Sequence, residues 1–123
     1  MVELQEILKR FRLYAALTDE EAAPWLPLVS DAAADIRRTA RREPDGEAMA
    51  RLQRAAAALA FYRYTLYRAS GVGMESFRAG DIQISAEKAD TVRFAERVWS
   101  EERARAHDLL NDCDFLFQRV GAW

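Results

Sequence analysis

The sequence predicts an all-α fold: a small helical bundle of about four helices, with a short β-strand or hairpin insert before the long last helix. Three observations carry this. Apolar residues recur at the helical period in four separate stretches. Between the second and third stretches lies Arg41-Arg42-Glu43-Pro44-Asp45-Gly46, where proline and glycine together punctuate the chain. Between the third and fourth, Gly71-Val72-Gly73 leads into Phe77-Arg78-Ala79-Gly80, and then Ile82 and Ile84 alternate with Asp81, Gln83 and Ser85, the two-residue period of a strand with one apolar face.

Each element has its own warrant. Glu3 to Tyr14 places Leu4, Ile7, Leu8 and Phe11 on one helical face. Thr18-Asp19-Glu20-Glu21 is a capping box: the threonine hydroxyl accepts from the Glu21 amide, and the Glu21 carboxylate reaches back to the cap amide. A second helix therefore starts there. Pro24 is tolerable in its first turn, whereas Pro27 predicts a kink or a start as late as Pro24. Trp25, Leu28, Val29, Ala32, Ala33, Ile36 and Ala40 trace its inner face. Asp45 is a candidate N-cap for a third helix running to about Ser70. In it Leu52, Leu59 and Leu66 fall seven apart, and Ala55 to Ala60 form a small-residue surface that lets another helix approach closely. Gly71 suits the left-handed position that closes a helix. Ser85 then caps a fourth and longest helix, predicted to reach Phe117 or Val120, with Val92, Trp99, Ala106, Cys113 and Val120 on one line and Ala95, Leu109 and Leu116 on its partner line, interrupted by Glu102.

A chain of 123 residues fits a single domain spanning 1–123. Half of it is apolar and the formal net charge is −2, so no global field draws it to nucleic acid or an anionic membrane. One cysteine excludes an internal disulfide framework. Acids near the start and the lack of a long apolar run predict a soluble, cytoplasmic protein with no membrane partner.

Residue types that carry chemistry read here as structure. His107 lacks the His-x-x-x-His or Glu-x-x-His spacing of a helical metal site and reads as a surface histidine. Cys113 sits on the apolar line between Asp112 and Asp114, which would raise rather than lower its pKa, so it reads as a small buried residue. Ser70-Gly71-Val72-Gly73 follows a helix and lacks the lysine of a phosphate loop. No catalytic, cofactor-binding or metal site is expected. The charged and aromatic residues leave open a choice between solvated faces, packing and interfaces. Arg37, Arg38, Arg41 and Arg42 cluster at a helix C-terminus, where the macrodipole favours cations, and Arg51 and Arg54 follow. From Glu96 to Asp114 acids dominate. Such patches read first as solvated faces, next as protein contacts, and last as a nucleic-acid footprint. Phe61, Tyr62, Tyr64 and Tyr67 surround the third helix: either the bundle covers both of its faces, or one face is an interface. The tail from Asp114 to Trp123 ends apolar, which suggests docking.

The order of elements adds a resemblance. A capped, alanine-faced helix from Thr18 to Arg42, a second from Glu47 to Ala69, the Phe77-x-x-Gly80-Asp81-Ile82-x-Ile84-Ser85 stretch and a long closing helix with its Asp112–Val120 end resemble the head–tail connector (head-completion or adaptor) proteins of tailed bacteriophages and prophages. The resemblance covers about Thr18 to Val120; the first helix has no place in it, and a long polar loop that some members carry is missing. It implies a structural protein rather than an enzyme. Its implied partners are copies of itself in a homo-oligomeric ring, the phage portal protein and tail-side adaptors, with DNA met only as it passes the channel. It implies residence in the bacterial host cytoplasm during assembly and then in the virion. The residues expected to meet a neighbouring subunit or partner are Arg37, Arg38, Arg41, Phe77, Ile82, Ile84 and Trp123. A ring needs a heterologous contact, and a strand with a free edge suits pairing with a neighbour. The competing reading is a small helical partner-binding or nucleic-acid-associated regulatory module built on the arginines.

Overall fold

A computed structural model describes residues 2–40, 46–70 and 89–110. Among them the fold is all-α. Helix α1 spans Val2–Ala15, a single turn α2 spans Asp19–Ala22, α3 spans Leu26–Thr39, α4 spans Gly46–Ser70 and α5 spans Ala89–Arg105. A 3₁₀ turn, Ala23–Trp25, joins α2 to α3, and another, His107–Leu109, follows α5. The expected strand at Phe77–Ser85 lies outside the described residues, as do the turn after Ala40, the Ser85 cap and the tail from Asn111. Among the described residues extended pairing is confined to one antiparallel bridge, Ala40 with Leu110.

The chain folds around α4, against which α1, α3 and α5 all pack. Every residue from Ala55 to Arg63 is buried, so the middle of α4 is covered all round. Alanines make this possible, because a helix hydrophobic on every side is stable only inside a core, and small side chains let three neighbours close on it together. Leu59 and Leu66 fill one stripe, Phe11 and Ile7 of α1 another, and Val92, Ala95 and Trp99 of α5 a third. Of the two readings of the α4 aromatics, coverage within the bundle is the one observed. Phe61 and Tyr62 are buried, Tyr14 stacks on Phe61 at 5.6 Å, and Trp25 meets Tyr64 and Tyr67 edge-on at 4.7 and 5.4 Å.

Local chemistry explains the helix boundaries. The capping box forms as read: the Glu21 amide donates to Thr18 Oγ1 at 3.2 Å, and the Thr18 amide donates to Glu21 Oε1 at 3.0 Å. The helix it starts does not run on. With Pro24 and Pro27 lacking donors, the chain passes through the 3₁₀ turn and restarts as α3 with Pro27 in its first turn. α1 ends with Ala16 at φ 57° and with the Leu17 amide donating to the Arg12 carbonyl at 3.0 Å, a six-to-one closure of the Schellman kind.

The last helix departs from expectation. It ends at Arg105 rather than reaching Phe117 or Val120. Arg51 of α4 donates to the Arg105 carbonyl at 3.0 Å, supplying from outside the partner that the next turn would have provided. Ala106 leaves helical geometry, the 3₁₀ turn follows, and Leu109 and Leu110 bury against the core beside Ala40. The heptad-like spacing of Ala106 and Leu109 therefore reflects burial on both sides of a break, not one continuous helix.

Candidate interaction surface

Chain direction sorts the charges. Trp25 at the start of α3 packs on Tyr64 and Tyr67, while Ile36 and Ala40 at its end share an apolar slot with Met49, Leu52 and Ala56. α3 thus runs antiparallel to α4. So does α5, because Phe61 meets Phe94 and Arg51 meets Arg105 and Asp108. The C-terminal ends of α3 and α5 and the N-terminal half of α4 therefore share one end of the bundle. That end carries Arg37, Arg38, Arg51, Arg54, Arg103 and Arg105. The macrodipoles of α3 and α5 favour cations there. The opposite end carries Asp19, Glu20 and Glu21 of α2 and Asp90 at the start of α5, with Arg12 paired to Asp19, Arg93 paired to Asp90, and Arg68 in the last turn of α4.

At the arginine end, α4 and α5 enclose an open groove of about 410 Å³ lined by Glu47, Ala50, Arg51, Arg54, Glu102 and Arg105. Its charges are unequally committed. Arg51 forks onto Asp108 at 2.8 and 3.4 Å. Glu102, buried despite its charge, accepts from Arg105 at 3.1 Å and from the Tyr14 hydroxyl at 3.3 Å. Burial, with Glu102 next in importance, pushes the Tyr14 phenol above its usual range. Arg54 and Glu47 are exposed and make no hydrogen bond or ion pair among the described residues.

These contacts revise the charge reading. Of the acids from Glu96 onward, Glu102 is inside and Asp108 is paired within the subunit to an arginine of the basic run, Glu101 is exposed, and Asp112 and Asp114 lie outside the described residues. The α2 turn beside the Thr18 cap carries exposed acids as well, Asp19, Glu20 and Glu21. There the Glu21 carboxyl is held below its usual range, first by the Thr18 amide and then by the Thr18 hydroxyl.

Of the residues expected at an interface, Arg37 and Arg38 sit exposed in the last turn of α3. Arg38 leans back onto Asp35, whose other oxygen accepts from Arg63 of α4 at 2.7 Å with both side chains only 6% exposed. Arg41, Phe77, Ile82, Ile84 and Trp123 lie outside the described residues, so the structure brings none of them together with Arg37 and Arg38. The sequence reading passed over Asp35 and Arg63, a buried pair between helices. The available signal was an acid on the apolar face of α3, three positions after Ala32 and one before Ile36. It also passed over Phe94, 54% exposed on α5 beside the Phe61 ring. His107 is exposed, as its neighbours implied. Among the described residues no group of three or more His, Cys, Asp or Glu is placed to hold a metal ion, and no helix is long and apolar enough to cross a membrane.

The sequence matches no protein-family model, no curated protein and no solved structure.

Proposed function

We infer that this chain is a structural assembly protein without catalytic function, a phage or prophage head–tail connector whose copies form a ring between portal and tail. The observation that carries the reading is the order and character of its helices. A capped and proline-broken helix precedes an alanine-faced one, which is followed by a closing helix, the order that carries the resemblance to connector proteins. The surface is consistent with such a role. Ring subunits meet through two different faces, and this bundle carries the exposed Arg37, Arg38 and Arg54 at one end and the exposed acids of α2 at the other. In this reading the strand-like stretch at Phe77–Ser85 pairs with a neighbouring subunit, and Trp123 docks on a partner.

The test is assembly. The purified chain is mixed with the portal protein encoded beside it, and the product is examined by light scattering and electron microscopy. The expected result is a ring of this chain seated on the portal, with ring closure allowed to depend on the portal as template. Absence of any portal complex overturns the reading. The exposed Arg37 and Arg38 favour one alternative, a nucleic-acid-associated module. A salt-sensitive shift of DNA or RNA that disappears in Arg37→Glu/Arg38→Glu, with no portal binding, would decide for it.

A further inference from the structure

We propose that copies of this chain associate head to tail, with the acidic α2 turn of one copy entering the arginine groove between α4 and α5 of the next. The inference deepens the ring reading above and rests on it for the expectation that copies meet.

The groove has the size for such an occupant, and Arg54 offers it a cation without an ion pair among the described residues. Its volume of about 410 Å³ exceeds what one side chain needs. Arg51 and Arg105 are held in place by Asp108 and Glu102, which fixes the walls. Arg54 is exposed in the lining, and Glu47, also exposed, lies seven positions before it on α4. The counterpart is convex. α2 is a single helical turn, pinned by its capping box and by the Arg12–Asp19 ion pair at 2.7 Å, and it holds Glu20 outward in solvent. Glu20, like Arg54, makes no ion pair among the described residues.

The geometry excludes self-cancellation. α2 and the groove lie at opposite ends of α3, whose 14 residues span about 20 Å. One copy therefore cannot satisfy its own Arg54 with its own Glu20, and neither can a two-fold dimer that sets like end against like end. A contact of unlike ends pairs them, and where it is heterologous rather than an antiparallel two-fold pair it repeats into a ring or a filament. The end that carries α2 also holds Arg12, Arg68 and Arg93; Arg12 and Arg93 pair with Asp19 and Asp90, and Arg68 lies over the Tyr64 ring at 6.0 Å, which leaves Glu20 as the acid of α2 that projects without an ion pair among the described residues.

Charge exchange tests this in sedimentation velocity on the full chain at low ionic strength, up to millimolar concentration. Arg54→Glu and Glu20→Lys each remove the pairing, and both sites are exposed, so each variant is expected to fold. Arg54→Gln and Glu20→Gln serve as neutral versions should either reversal fail to fold. The wild type is expected to self-associate and to weaken as salt screens the contact. Each single variant is expected to lose at least tenfold in association constant. An equimolar mixture of Arg54→Glu with Glu20→Lys is expected to recover association beyond the dimer, since the reversed pair and the native Arg54–Glu20 pair then alternate along a head-to-tail assembly; a mixture that stops at dimers would mean an antiparallel two-fold contact and overturn the head-to-tail one. A wild type that stays monomeric, variants that associate as the wild type does, or a mixture that fails to recover would each overturn the proposal. Wild-type assembly on the portal with unchanged Arg54 and Glu20 variants would sink this contact and leave the ring reading standing. Head-to-tail association without portal binding would do the reverse.

Discussion

Ala16 carries the clearest local strain among the described residues. At φ 57° its Cβ crowds the following carbonyl, a conformation that costs an L-residue roughly 1–2 kcal/mol and costs glycine almost nothing. The chain accepts it because the six-to-one bond from Leu17 to Arg12 closes α1 and turns the backbone toward Thr18. Ala16→Gly is therefore expected to stabilise the protein by about 0.5–1 kcal/mol, the relieved strain offset in part by a more flexible unfolded chain. Ala15→Gly, one residue earlier and inside the helix, is expected to destabilise by about 1 kcal/mol. Urea midpoints of the two variants check this, and equal losses in both would show that residue 16 is not left-handed in solution. Asp35 sits under a different constraint. Its carboxylate is buried between Arg38 and Arg63, and charges there are tolerated only because they are paired. Asp35→Ala deprives a buried guanidinium of its carboxylate and is expected to cost about 3–5 kcal/mol. Arg38 is already solvated, so the double variant Asp35→Leu/Arg63→Met removes both buried charges and is expected to recover most of that loss. A double variant as unstable as Asp35→Ala would mean that the pair contributes more than mutual neutralisation.

The helices owe their positions to different amounts of information in their own residues. α4 was legible in outline because its leucines and alanines leave no polar stripe over its middle, and Ala58 shows what that implies. It is fully buried. Ala58→Leu adds three carbons where neighbouring helices already touch, with an expected cost of about 1–3 kcal/mol from forced backbone shifts. Leu59→Ala at the next position removes the same volume and is expected to cost about 2–5 kcal/mol. Thermal and denaturant unfolding of the pair separates overpacking from cavity formation; a neutral Ala58→Leu would mean open space beside α4. The capping box was legible because both of its bonds lie within four residues. The end of α5 was not. Arg105, Ala106 and His107 contain no glycine or proline, and the group that takes up the Arg105 carbonyl at the helix end belongs to Arg51, which is 54 positions away in the chain. Only tertiary structure brings that guanidinium to the carbonyl. The Asp35–Arg63 pair was hidden for a similar reason, since an acid on an apolar face signals a partner without saying which helix supplies it. The expected interface followed the same limit: Arg37 and Arg38 could be placed at a helix end from sequence, but the acids that oppose them in charge could not, because the acid-rich stretch after Glu96 is partly spent inside the fold.

At the scale of the molecule, wrapping three helices around α4 encloses phenols as well as hydrocarbon, and this ties global stability to alkaline pH. Tyr62 on α4 is buried, and its pKa is raised mainly by that burial and then by Glu96 of α5. Tyr14 is shifted in the same direction by its own burial and by Glu102, with the Arg10 guanidinium opposing. Both groups are neutral when protonated, and both keep the proton more tightly folded than unfolded. Below the unfolded phenol value of about 10 the two states bind equal protons and stability is unaffected. Above it the unfolded chain releases protons that the folded chain retains, so stability falls as pH rises. The larger shift belongs to Tyr62, which sits where α4 faces α5. Tyr62→Phe keeps the ring and removes the ionisable group, so its stability is expected to decline less steeply than that of the wild type once the pH exceeds about 10. Tyr14→Phe is expected to flatten the same limb by a smaller amount, while also losing its bond to Glu102 near neutrality. Denaturant unfolding of the three proteins at a series of pH values from neutral upward measures this. Parallel curves for wild type and Tyr62→Phe would show that the phenol reaches water, and hence that α5 does not close over α4 as the folded bundle requires.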